Sequence, residues 1–192
     1  MKIILLSIAF CAVINTATGQ NIAGSTVSSK NKQDPLMDPE NNIADNISKF
    51  TQATVFSRST NICGLVQTFN NPGPLTVFLP ADSAFNKLSM GKLDTLQMPN
   101  KKYDLISMLT YHAIPGKIST TNIAKAIGKG KGTAVFRTIA GAPLKAQFDG
   151  EGNIVLIDET GGKSVLQKSD IKQKNGFIHF ISAVLMPRFK SI

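Results

Sequence analysis

The chain has no tryptophan, two tyrosines, two histidines and two cysteines. Each shortage closes off a class of function. With only Tyr103 and Tyr111, it lacks the flat amphipathic rings on which neutral sugars stack. Its His, Cys, Asp and Glu residues nowhere cluster at metal-ligand spacing. No Ser sits in a nucleophile elbow. Asp82-Ser83 and the distant His112 lack the spacing of a triad, and a helix cap accounts for Asp82. The inventory therefore argues against an enzyme and names no cofactor. There is no internal repeat, no arginine-rich helix and no nucleic-acid motif.

The amino terminus has an export pattern. Lys2 precedes an apolar run, Ile3 to Ile14, and Ala17-Thr18-Gly19 supplies small residues. The run is about a dozen residues, short of the roughly 20 that a spanning helix needs. This predicts a signal peptide over residues 1–19, cleaved between Gly19 and Gln20. Phe10 before Cys11 argues against a lipid-modified cysteine. No later run approaches the length of a transmembrane segment. The 173 residues that remain of 192 suit one domain, large enough to fold without staples. Export usually invites disulfides, yet only Cys63 remains, and its apolar setting reads as a small buried residue.

Acidic residues are scarce as well. After cleavage the chain holds 20 basic against 12 acidic residues, a net +8. Such a surface attracts acidic polysaccharide, anionic envelope surfaces or nucleic acid, and charge alone does not choose among them. The secreted or periplasmic protein is expected to meet an extracellular or envelope protein or an acidic polysaccharide, and not nucleic acid.

Residues 20–36 are polar and read as a linker. A domain over 37–189 follows. Asp38-Pro39-Glu40 is a helix-start signal, with Ile43, Ile47 and Phe50 at helical spacing. Ile62, Leu65, Val66 and Phe69 predict a second helix, ended by the turn residues 71–74. Leu75 to Leu79 reads as a buried strand, Asp82 as the cap of a short helix with Phe85 and Leu88, and Asn100 as the cap of another with Tyr103, Ile106 and Leu109. Thr121 to Ile127 is a brief helix stopped by Gly128. Then come strand-length runs at 135–139, 144–148, 154–157 and 164–167, with Asp149-Gly150-Glu151-Gly152 as a hairpin turn, and a last apolar run from Phe177 to Leu185. Helices first and strands later, without βαβ alternation, indicate an α+β fold.

Gly128 to Thr133 imitates a phosphate loop, but no Lys directly precedes a Ser or Thr after its second glycine. It reads as a flexible basic loop carrying Lys129 and Lys131. Lys172 and Lys174 form a second basic turn beside Asp170. Asn46-Ile47-Ser48 fits a glycosylation sequon but lies in a predicted helix.

Three segments stand out: Leu75-Thr76-Val77-Phe78-Leu79-Pro80-Ala81-Asp82-Ser83-Ala84-Phe85, the Tyr111-His112 pair, and Asn175-Gly176-Phe177-Ile178-His179-Phe180-Ile181 running on to Pro187. Together they resemble the fasciclin-like domain family. The physical reading of the third is that Asn175-Gly176 makes the tight turn that launches the last strand. The resemblance covers residues 37–189. It implies a wedge-shaped β-sandwich with helices packed around it, a role in cell adhesion or matrix association, and no cofactor. It also implies partner contacts at Asp170-Ile171 and Tyr111-His112, positions matching those credited with cell binding in animal members. On their apolar surroundings alone, His112 and His179 read as structural. Ser182 departs from the family pattern, which often has Asp there. Rival readings are a structural or assembly protein using an apolar patch, and an envelope small-molecule carrier or enzyme with a deep pocket around His112 or His179.

Overall fold

The computed structural model describes residues 37–71 and 73–189. The segments expected to be a signal peptide with its cleavage point and a polar linker lie outside the described residues.

The first half is helical. Helices α1 (Ile43–Lys49), α2 (Thr54–Cys63) and α3 (Val66–Asn70) precede strand β1 (Leu75–Pro80). Then come α4 (Asp82–Phe85), α5 (Lys92–Leu96), a 3-10 turn (Pro99–Lys101) and α6 (Lys102–Tyr111). The second half holds β2 (Ala113–Pro115), α7 (Thr120–Lys129), β3 (Ala134–Arg137), β4 (Pro143–Phe148), β5 (Ile154–Ile157), β6 (Lys163–Val165), β7 (Ile171–Gln173) and β8 (Gly176–Ile181).

These form two four-stranded sheets, ordered β2-β1-β8-β7 and β3-β4-β5-β6. Strand β1 is buried along its whole length because both its faces are covered. Val77 and Leu79 join Ile178 and Phe180 against the helices, in a core with Phe56, Phe69 and Met108. Phe78 and Ile181 face the other way, into a second core with Ile123, Ile127, Leu144 and Leu156. The parallel β1–β8 pair forms the centre, and Gly176 makes it possible: a Cβ there would stand 1.8 Å from the Leu75 carbonyl oxygen. The two sheets are tied at both margins. Ile139 N–H donates to the Ala113 carbonyl at 2.8 Å, and Gln167 N–H to the Phe180 carbonyl at 2.8 Å.

The α+β class holds, with local differences. Asp38-Pro39-Glu40 closes as a turn before α1, because the Asp38 carboxylate accepts from Glu40 N–H. The second predicted helix is two, broken by Gly64 in the left-handed region at φ 71°, and this leaves Ile62 exposed. In α6 the buried stripe is Leu105, Met108 and Leu109, whereas Tyr103 is 75% exposed. Helix α7 starts under a capping box between Ser119 and Asn122 and runs past Gly128 to Lys129. The β7–β8 turn is Lys174-Asn175, with Gly176 already in the strand.

Asp82 does cap a helix, but a different one. It sits in the first turn of α4, and its carboxylate accepts from Thr54 and Val55 N–H at 3.2 and 2.9 Å. It thus caps α2, which has no side-chain cap of its own.

Candidate functional site

The motif residues converge on the seam between helices and sheets. Tyr111, at the end of α6, is fully buried. Its hydroxyl donates to the Pro143 carbonyl at 2.7 Å and accepts from Glu159 N–H at 3.2 Å. Burial pushes its pKa up. His112 follows at the helix end. Its Nδ1 donates to the Met108 carbonyl at 2.8 Å, and its Nε2 accepts from Leu185 N–H at 3.0 Å. Both ring nitrogens are occupied, which fixes the neutral tautomer. Burial pushes its pKa down to about 4 against the opposing pull of the Met108 bond and Asp158.

His179 repeats this arrangement on β8. Nε2 donates to the Ile118 carbonyl at 2.8 Å, and Nδ1 accepts from Asp170 N–H at 3.0 Å. The ring stacks on Phe78, and burial lowers its pKa. The neutral ring makes no ion pair with the Asp170 carboxylate, 3.9 Å from Nδ1. Asp170 stands at φ 58°, an uncommon conformation for a side chain other than glycine. Its carboxylate accepts from Thr120 N–H at 2.9 Å and from the Thr120 hydroxyl, so it caps α7 from outside. Ile171 packs partly buried on the helical core.

Tyr111 and His112 therefore correct the expectation that they touch a partner: neither side chain reaches solvent. Asp170 is partly exposed, with its acceptors turned to α7. Asn46 of the sequon is buried, its amide donating to the Asp38 carbonyl at 2.7 Å and to Gln173, so it offers no acceptor for a glycan. Ser182, the departure from the family pattern, accepts from Val165 N–H at 2.9 Å and helps to join β6 to β8.

Asp158 was not singled out from sequence. It is buried and accepts from Thr160, Gly162 and Met186 N–H groups at 2.9, 2.8 and 3.0 Å. A Cβ on residue 162 would lie 2.6 Å from that carboxylate, so the turn needs Gly162. The signal was the sequence Asp158-Glu159-Thr160-Gly161-Gly162, a turn composition with an acid at its start.

The cationic candidates stay on the surface. Lys129, Lys131, Lys172 and Lys174 are all exposed. The Lys129 to Lys131 segment is a hydrogen-bonded end of α7, with Gly132 N–H donating to the Ile127 carbonyl at 2.9 Å. Asp170 caps the opposite end of α7, about 15 Å away at 1.5 Å per residue, so Lys129 and Lys131 are not neighbours of Asp170. Lys172 lies across from Phe177 on β8, whose ring also meets Lys117 Nζ at 5.2 Å. Charge divides along the chain. Residues 37–111 hold six basic and six acidic side chains, and residues 112–189 hold eleven and five.

Two hollows of about 570 Å³ flank the segment Pro187 to Phe189. Leu88, Lys92 and Met186 line one; Tyr103, Ser107 and Ala140 line the other. Neither is lined by a histidine. Among the described residues no group of His, Cys, Asp and Glu is placed to hold a metal, and no helix is long and apolar enough to cross a membrane.

Comparison with known proteins agrees with this architecture. The chain is 30% identical over 123 residues to protein sll1483 of Synechocystis, covering 64% of this chain and 61% of that one. It is 32% identical over 123 residues to the immunogenic protein MPB70 of Mycobacterium bovis, covering 64% and 54%. It is 29% identical over 143 residues to human periostin, covering 74% of this chain and 15% of periostin. The chain thus spans only part of the length of these three relatives. A solved FAS1 domain pair from the insect cell adhesion molecule fasciclin I shares the fold, with a TM-score of 0.65 at 17% identity, over 78% of this chain and 51% of that one. The Fasciclin domain model matches residues 48–187, and the chain belongs to that family.

Proposed function

We infer that this protein is a non-catalytic adhesion module that acts outside the cytoplasm and binds an extracellular or envelope protein or an acidic polysaccharide. The observation that carries this reading is the division of charge: the strand-rich half has an excess of six positive charges, while the helical half is neutral. A surface of one sign draws partners of the other. Membership of the Fasciclin family supports the adhesive role, as does the likeness in fold to a cell adhesion molecule. Both histidines are fully engaged by backbone groups, which leaves no imidazole nitrogen free for acid–base work. The export pattern at Lys2 to Gly19 supports the compartment.

The test is binding of the exported protein to acidic and neutral polysaccharides across a salt series. Saturable binding to acidic polymers that weakens with salt is the expected result, and neutralising Lys129, Lys131, Lys172 and Lys174 in pairs then maps the contact. No binding to any acidic polymer at low salt removes the polysaccharide and leaves a protein partner. A second reading has its own observation. Tyr103, Met90 and Met98 are exposed apolar residues of the helical half. An assembly contact through them would be insensitive to salt.

A further inference from the structure

The outer face of the β3-β4-β5-β6 sheet has an unusual composition. Strand register puts Ala134, Ala146, Leu156 and Ser164 in one buried row. It puts Val135, Lys145, Ile157 and Lys163 in the row facing the opposite way. Arg137, two residues from Val135, lies on that same outer face. These three cations are the only charged residues on the four strands, and all three are exposed. Among the described residues none of them stands in an ion pair.

The acids of this region are confined to its two turns and are engaged there. Asp149 accepts from Asn153 at 2.8 and 3.0 Å, and Glu151 lies beside the same side chain. Asp158 is buried in its own turn, and Glu159 accepts from Arg188 N–H at 3.0 Å. The strands of this face thus carry positive charge with no acid among them, and Glu159 approaches only at the margin, where it lines a hollow with Lys145 and Arg188.

Spacing limits what can answer that charge. Arg137 and Lys145 are diagonal neighbours, about 7–8 Å apart. Lys145 and Lys163 are two strands apart, roughly 10 Å. No small anion reaches all three, whereas a linear polymer with repeated negative groups does. Between the cations lie the aliphatic side chains Val135 and Ile157, and no aromatic ring occupies the face. A single-stranded nucleic acid would want rings for its bases; a sugar chain held by its acid groups does not.

We propose that this face, through Arg137, Lys145 and Lys163, is the docking surface for an acidic polysaccharide. The proposal rests on the adhesive reading above and moves the contact from the lysines of the turns to the sheet. Its test uses the full exported protein, with heparin and polygalacturonate as probes and dextran as the neutral control. The variant R137Q/K145Q/K163Q is compared with K49Q/R58Q/K102Q, which removes the same charge from exposed positions of the helical half. Circular dichroism and a urea midpoint check that both fold. The expected result is at least a tenfold loss of affinity for an acidic probe in the sheet variant, with a fall of about two to three in the log–log salt slope, and much less change in the helical variant. Equal losses in the two variants overturn the sheet face and leave charge-driven adhesion standing. Wild-type protein that binds neither acidic probe overturns this proposal together with the polysaccharide reading. Wild-type binding to vesicles of phosphatidylglycerol but to neither polymer overturns the choice of ligand.

Discussion

The helical half rests on large apolar side chains, with Phe56, Phe69 and Met108 fully buried in one core. The core of the strand-rich half is mainly aliphatic, with Ile123, Ile127, Leu144 and Leu156 beside Ala134 and Ala146, and many polar clasps surround it. Its charge differs too, an excess of six against none. The comparison teaches where to look for binding. Of the polar residues that stand out in the sequence, Tyr111 and His112 sit at the junction of the halves and spend their hydrogen bonds there, while His179 spends its own within the strand-rich half. The cations of the strand-rich half, by contrast, stay exposed on its surface.

The severest way to break the comparison is to cut the junction. His112→Ala removes a ring that joins α6 to the segment after β8, and strands the Met108 carbonyl and the Leu185 N–H. Lost packing and two unpaired backbone groups together cost about 3–5 kcal/mol. The urea midpoint reads it directly. A loss below about 1 kcal/mol would mean that the halves are held mainly by apolar packing.

Acid tests the same junction without a mutation. His112 is neutral in the folded chain with its pKa near 4, against about 6.5 when unfolded. The unfolded chain therefore takes up the proton first as pH falls. Stability from this residue is complete above about pH 6.5 and is lost progressively down to about pH 4. The loss is about 3 kcal/mol in all, with about 2 kcal/mol of it between pH 6.5 and 5, above the range of ordinary carboxylates. His179 shifts in the same direction and adds to it. Urea midpoints at pH 7 and pH 5 measure the loss, and imidazole resonances that stay neutral through pH 6 identify its source.

The helical half has its own clasp, borrowed from the β7–β8 turn. Asn175 accepts from Ile43 N–H at 2.9 Å and donates to the Phe69 and Asn71 carbonyls at 2.8 and 3.0 Å. Asn175→Ala is expected to cost about 2–3 kcal/mol, because it leaves buried backbone groups unpaired. Faster amide exchange at the start of α1 would locate the damage.

Much of this fold was legible in sequence because strands and helices announce themselves by periodicity. The run Leu75 to Leu79 is apolar throughout, and its strand is buried on both faces. Asp149-Gly150-Glu151-Gly152 lies between β4 and β5 as a hairpin should. What stayed hidden depends on contacts between distant residues. Nothing near Asp82 shows that it caps α2, 27 and 28 residues back. Asp158 could be read as a turn residue but not as the acceptor for Met186 N–H. The candidate surface was half legible. The exposed lysines were visible as charges, but only register puts Arg137, Lys145 and Lys163 on one side of a sheet.

The smallest effects compare two carboxylates that do the same job in the two halves. Asp82 caps α2 and Asp170 caps α7, each from outside the helix it serves. Helix α7 has a second cap, the Ser119–Asn122 box, whereas α2 has none of its own. Loss of a cap typically costs about 1 kcal/mol. Asp82→Ala is therefore expected to cost the full amount, about 1–2 kcal/mol. Asp170→Ala keeps the box and the backbone N–H that serves His179, and is expected to cost less, about 0.5–1 kcal/mol. Paired urea midpoints order the two. The reverse order would show that the left-handed turn at Asp170 depends on its carboxylate, because the damage would then reach beyond α7 to the histidine and the sheet behind it.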